Sequence, residues 1–101
     1  QVLHTSKLIG NIEKLLIDGT LDLHTFHPSD VKALIPDYLI ECKKIGIYDV
    51  RIIHGKGMGV LRKIVHLVLS DLSYVAQFQL AGEREGSWGA TLVNLKRIDT
   101  K

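Results

Sequence analysis

Asp22-Leu23-His24 sets a carboxylate two residues before an imidazole. In a β-strand, a spacing of two puts both side chains on one face. A carboxylate so placed can orient the ring, select its tautomer or share a metal ion with it. The same pair can equally be two solvated groups on an open strand face. His54-Gly55-Lys56-Gly57-Met58-Gly59 is a second candidate. Glycines let a backbone turn sharply and bring its amides close to a ligand. A helix beginning after them adds a partial positive charge, and Lys56 a full one, so the segment can hold a phosphate. It is neither a Walker A motif nor a G-x-G-x-x-G fingerprint, because the third glycine arrives one residue early. No nucleoside triphosphate or dinucleotide site is expected, and a plain flexible connector is the competing reading. The third candidate, Glu85-Gly86-Ser87-Trp88-Gly89-Ala90-Thr91, brackets the single tryptophan with glycines. Its ring can stack on a base or plug the sheet edge.

Other chemistries find less support. His4, His24, His27, His54 and His66 show neither HExxH nor Cys/His ligand spacing. His27 is expected at a helix entrance and His66 on a helix surface. No serine occupies a nucleophile elbow, so a Ser-His-Asp triad is not expected.

These residues need elements to position them. Leu8, Ile9, Ile12, Leu15 and Leu16 share one helical face, which predicts a helix over 5–17 with Thr5 or Ser6 before it and Gly19 after it. Residues 20–25 alternate as a short strand. Pro28 suits the first turn of a helix that carries Val31, Leu34, Ile35, Tyr38, Leu39 and Cys42 inward and stops at Gly46. Pro36 cannot donate to the Lys32 carbonyl, which predicts a kink within one helix. Residues 48–53 form a second strand, rich in β-branched side chains. Leu61, Ile64, Val65, Val68, Leu69 and Leu72 line the next helix. Strands follow at 74–80 and 90–96, joined by a polar segment, 82–89. Strands alternating with helices imply parallel pairing, and the short last link implies antiparallel neighbours. The fold class is therefore α/β: a two-layer sandwich with a four-stranded mixed sheet, two to three helices and a βαβαββ core. In such folds ligands gather at the carboxyl ends of the strands, and all three candidates are expected there or nearby.

The 101 residues suit one domain, and 46% hydrophobic with 24% charged residues is ordinary for a soluble globular chain. No apolar run approaches the roughly 20 residues of a membrane span, so no membrane partner is expected. Gln1-Val2-Leu3-His4 shows no signal peptide, and a first residue other than Met fits an excerpt of a larger chain. The single cysteine, Cys42, can form no internal disulfide and is expected buried. A cytoplasmic location fits. The net charge of +2 is too small to point to nucleic acid by itself. Lys43, Lys44, Arg51, Lys56, Arg62, Lys63, Arg84, Lys96 and Arg97 lie near segment ends, where they can meet phosphates or merely solvate the surface.

Taken together, the motifs resemble those of the Smr (small MutS-related) domain family. Leu21-Asp22-Leu23-His24 is similar to its LDxH motif and His54-Gly55-Lys56-Gly57 to its HGxG motif, with Ile52-Ile53 and Gly59-x-Leu61 also fitting. Gly86-Ser87-Trp88-Gly89-Ala90-Thr91 resembles its closing glycine-rich segment. Thr25, Met58 and Ser87 depart from common family residues, though none is a presumed reactive group. The resemblance covers roughly residues 19–96. It implies a fold similar to the C-terminal domain of bacterial translation initiation factor three. The division it implies is a helical extension at 1–18, an Smr domain at 19–97 and a tail at 98–101. It further implies nicking of DNA or RNA, in DNA repair or recombination or at ribosomes.

Carried over, Asp22, His24 and His54 would be catalytic. Gly55, Lys56, Gly57, Gly59, Arg62, Arg84 and Trp88 would bind nucleic acid. Asp22 could also hold Mg or Mn; no other cofactor is expected. The alternative is a non-catalytic module that binds structured nucleic acid or ribosomal RNA through the same loop. A protein-interaction domain is the remote third option.

Overall fold

The computed structural model describes residues 16–57, 59–82 and 89–97. Arg84, Trp88, the tail and residues 5–15 of the expected first helix lie outside these. The last two residues of that expected helix, Leu16 and Ile17, are not helical. Ile17 is instead buried as the chain enters the first strand.

Six elements follow: β1 (Thr20–Asp22), α1 (Pro28–Lys44), β2 (Asp49–Ile53), α2 (Val60–Asp71), β3 (Val75–Leu80) and β4 (Ala90–Leu95). The sheet order is β1-β2-β4-β3. β1 and β2 are parallel, and β4 lies antiparallel between β2 and β3. The mixed four-stranded sheet is thus as expected, with β4 inserted into its middle.

Side-chain parity explains the two layers. Leu21, Val50, Ile52, Val93 and Leu95 are buried and join one core with Leu23, with Val31, Leu34, Ile35, Tyr38, Leu39 and Cys42 of α1, and with Val65 and Leu69 of α2. Of the alternate positions, Thr20, Asp22, Asp49, Gln77 and Gln79 are exposed, and Arg51, Ile53, Leu92 and Asn94 are half-buried. Both helices therefore cover one face, and the other is open and polar.

α1 starts where its sequence says. His27 is the N-cap, its Nδ1 accepting from the Ser29 N–H at 3.1 Å, and Pro28 opens the first turn. The helix continues through Pro36 without a break. Gly46 ends it at φ +85°, its N–H donating to the Lys43 carbonyl, while Ile47 N–H donates to the Cys42 carbonyl. That pair of bonds is the Schellman arrangement, which satisfies carbonyls the helix leaves unpaired. Burial pushes the Cys42 thiol up to about 11, so it is a packing residue rather than a reactive one.

Tyr38 ties α1 to the start of β1. Its hydroxyl accepts from the Gly19 N–H at 3.0 Å and lies 3.2 Å from the Thr20 carbonyl. Tyr38→Phe strands that amide in the core. It should lower unfolding stability by about 1–3 kcal/mol, read by urea titration. An unchanged midpoint would show that the hydroxyl contributes nothing net.

Candidate nucleic-acid interface and acid–base pair

β1 stops at Asp22, earlier than its alternating sequence suggests. The Asp22 carboxylate accepts from the His24 backbone N–H at 3.0 Å, a local turn that competes with the strand ladder. The same oxygen lies 2.6 Å from His24 Nδ1. A carboxylate only accepts, so Nδ1 carries the proton, and whenever the ring is neutral Nε2 presents its lone pair. Both side chains are accessible: His24 is 71% exposed and Asp22 45%. Slight burial alone would raise the Asp22 carboxyl. The side-chain and backbone hydrogen bonds from His24, with the ring's charge, outweigh burial and hold it below the usual carboxylate range.

The glycine loop leaves the neighbouring strand at the same level. Asp22 pairs with Ile53, and the Leu23 N–H donates to the Ile53 carbonyl at 2.9 Å. The carboxyl ends of β1 and β2 are therefore side by side. The loop is anchored from β4's entry: the Gly89 carbonyl accepts from both His54 and Gly55 N–H, at 2.9 and 2.8 Å. Gly55 and Gly59 hold φ near +86° and +85°, a region that glycine enters without strain. Gly59 is the N-cap of α2 and offers no side-chain cap, which leaves amides of the first turn for a ligand. The Arg62 guanidinium lies over Gly59, where a Cβ would come within 3.2 Å of Nη2.

His54, Gly55, Gly57, Gly59 and Arg62 line one small cavity of about 160 Å³. This is below the roughly 300–1,000 Å³ of ligand pockets, and suits a phosphate better than a nucleotide. Lys56 is exposed beside it. A larger groove of about 400 Å³ lies on the open sheet face, but its charged lining is Asp18 and Asp49 against Arg51, which gives it no positive excess to draw a polyanion.

His54 is placed differently from His24. Its side chain follows Val50 and Ile52 to the helix-covered face and is only 6% exposed. No hydrogen bond joins it to Asp22 or His24 among the described residues. Its Nε2 lies 2.9 Å from Thr91 Oγ1 and its Nδ1 3.0 Å from the Gly55 carbonyl. His66 corrects the expectation of a surface residue: its Nε2 reaches Thr91 Oγ1 at 2.8 Å. Its ring also packs on Phe78, with centroids 5.0 Å apart. Thr91 and His66 are the residues the sequence reading missed. Thr91 shares inward parity with Val93 and Leu95, and a polar group there needs a partner.

Among the described residues, no three His, Cys, Asp or Glu side chains gather as a metal cage. Asp22 offers a single carboxylate. That fits a Mg or Mn ion only if substrate phosphates complete its coordination.

Burial, with the His54 ring and the Arg62 guanidinium nearby, holds His66 below the ordinary histidine value of 6.5. The unfolded chain then binds the proton more readily, so stability rises with pH between the depressed value and 6.5. Urea midpoints should fall as pH drops below that upper limit. His66→Gln, which keeps a donor for Thr91, should flatten the step. An identical pH profile in the variant would refute the assignment.

The Smr domain family is matched over residues 21–96. Endonuclease MutS2 of Brevibacillus brevis is 42% identical over 76 residues, 75% of this chain and 10% of that protein. Endonuclease MutS2 of Halothermothrix orenii is 36% identical over 84 residues, 83% of this chain and 11% of that protein. The chain thus spans about a tenth of the length of these relatives. The crystal structure of the Smr domain of Thermus thermophilus MutS2 aligns with a TM-score of 0.73 and 29% identity, covering 78% of this chain and 99% of that one. YdaL, a stand-alone small MutS-related protein from Escherichia coli, aligns at 0.72 and 24% identity over 78% of this chain and 65% of that one, a likeness of fold alone. Motifs, topology and a family match from the first strand to the end of the last make the chain a member of the Smr (small MutS-related) domain family.

Proposed function

We propose that this Smr domain binds nucleic acid through the His54–Arg62 loop and nicks it with the Asp22–His24 pair. The observation that carries the reading is the accessible 2.6 Å Asp22–His24 contact at the strand end adjoining the glycine loop. Nε2 of His24 accepts the proton of the attacking hydroxyl as its oxygen bonds to phosphorus. Asp22 steadies the resulting imidazolium. Lys56, Arg62 and the loop amides offset charge on the phosphate before the leaving oxygen departs. Arg84 and Trp88, which belong to the same proposal, extend the contact. If the attacker is a 2′-hydroxyl, the substrate is RNA; if it is water, DNA is open too. A Mg or Mn ion on Asp22 would supply charge neutralisation at the phosphate. His54 lines the cavity with both nitrogens engaged, so its part is to hold the loop.

The MutS2 relatives are named endonucleases, and this chain corresponds to a tenth of them. We therefore place the activity in residues 19–97, with 1–18 as an extension and 98–101 as a tail of a longer cytoplasmic protein. DNA repair or recombination, or rescue of ribosomes, would be the setting. Among the described residues, no helix is long and apolar enough to cross a membrane.

One observation favours a second reading. Of the two candidate catalytic histidines, His24 and not His54 is accessible with no partner at one nitrogen among the described residues, and a single carboxylate accompanies it. A module that binds structured nucleic acid without cutting it would need no more. Supercoiled plasmid and labelled structured RNA, incubated with magnesium, manganese or chelator, separate the two. Cleavage by the wild type and its loss in Asp22→Ala support the nuclease. Intact substrate in every condition, with binding that weakens steeply in salt, supports the module.

A further inference from the structure

His54, Thr91 and His66 form a chain of hydrogen bonds between β4, α2 and the loop. Thr91 is fully buried, with His54 Nε2 at 2.9 Å and His66 Nε2 at 2.8 Å from its hydroxyl. The direction of the chain follows from its far end. His54 Nδ1 faces the Gly55 carbonyl at 3.0 Å, and a carbonyl only accepts, so Nδ1 carries the proton. Nε2 of the neutral ring is then bare, and the Thr91 hydroxyl donates to it. The hydroxyl in turn accepts from His66 Nε2–H. A doubly protonated His54 would reverse the chain, with the Thr91 hydroxyl accepting from His54 and donating to a bare His66 Nε2. With His54 neutral, the two histidines sit in opposite tautomers.

We infer that His66 and Thr91 are positioning residues that lock His54 as its Nδ1–H tautomer and thereby fix the Gly55–Lys56 peptide at the wall of the cavity. The step from ring to loop is covalent geometry. In a trans peptide the C=O and N–H point opposite ways. With the Gly55 carbonyl turned in to His54, the Lys56 N–H of the same peptide points away from the ring. The preceding peptide is held through Gly55 N–H on the Gly89 carbonyl at 2.8 Å. Gly55 alone has the freedom to let the 55–56 peptide flip, and the His54 Nδ1 proton prevents it. The opposite tautomer would set a lone pair against the carbonyl and release the turn. The neutral state of His66, favoured by burial first and by the nearby Arg62 charge, agrees with its role as a one-proton donor.

This inference rests on the loop being the nucleic-acid contact, and the test reads the two apart. Two-bond nitrogen–proton correlation spectra of the intact chain, with isotope-labelled histidine, report each ring's tautomer. Wild type is expected to show His54 as Nδ1–H and His66 as Nε2–H. Thr91→Ser keeps both. Thr91→Val turns His54 into a tautomer mixture and lowers affinity for a short labelled duplex by about tenfold. His66→Gln, whose amide still donates, keeps wild-type affinity, and His66→Leu behaves like Thr91→Val. A wild-type His54 found as Nε2–H overturns the inference without any variant. So does a Thr91→Val protein with unchanged His54 signals and affinity. Correct tautomers in a wild type that binds no nucleic acid overturn the loop's proposed function and leave the hydrogen-bond chain standing.

Discussion

His24→Ala should slow nicking by about 10²–10⁴-fold, the usual contribution of a positioned acid–base group. The same change should leave folding almost untouched. His24 is 71% exposed, and Asp22 is its one hydrogen-bond partner among the described residues. Surface changes of this kind stay within about 0.5 kcal/mol. Conversion of supercoiled to open-circular plasmid, or cleavage of labelled RNA, gives the rate; urea unfolding gives the stability. Asp22→Asn refines the result. Its amide oxygen can still accept from Nδ1–H and keep the tautomer, but the negative charge that steadies the imidazolium is gone. Its rate should fall between wild type and His24→Ala. A His24→Ala protein that nicks at the wild-type rate would remove His24 from the chemistry.

The contrast between His24 and His54 was half visible in the sequence. Alternation along β2 puts residue 54 in phase with Val50 and Ile52, which face inward. Along β1, Asp22 opposes the inward Leu21 and Leu23. Parity thus places the two motifs on opposite faces of neighbouring strands, although they resemble one continuous site when read as motifs. The α1 stripe and its glycine stop were legible because helical spacing and a Schellman cap are local signals. β4's insertion between β2 and β3 was not, because strand order depends on pairings far apart in sequence. The His66–Thr91 contact was hidden for the same reason: it joins residues 25 apart. His66 borders the buried Val65 and Leu69 on α2, and amphipathic spacing alone does not separate a rim position from a solvent one.

His54→Ala should destabilise the domain by about 2–3 kcal/mol, from a cavity in place of the ring and the loss of its two hydrogen bonds. The penalty has limits. Thr91 retains His66 as a partner, and the exposed Gly55 can turn its carbonyl to water. His54→Leu, which refills most of the volume, should recover part of the loss but not the hydrogen bonds. Nicking will fall in both variants, and that fall alone does not make His54 a catalytic residue, because its loop moves with it. The decisive comparison is between stability and rate measured on the same preparations. A His54 that anchors the loop loses both together, and loses duplex affinity as well. A His54→Ala protein with wild-type stability and affinity but no nicking would mean that the ring leaves Thr91 and reaches the substrate. In that case the acid–base pair would be His24 and His54, one at each strand end, rather than His24 with Asp22 alone.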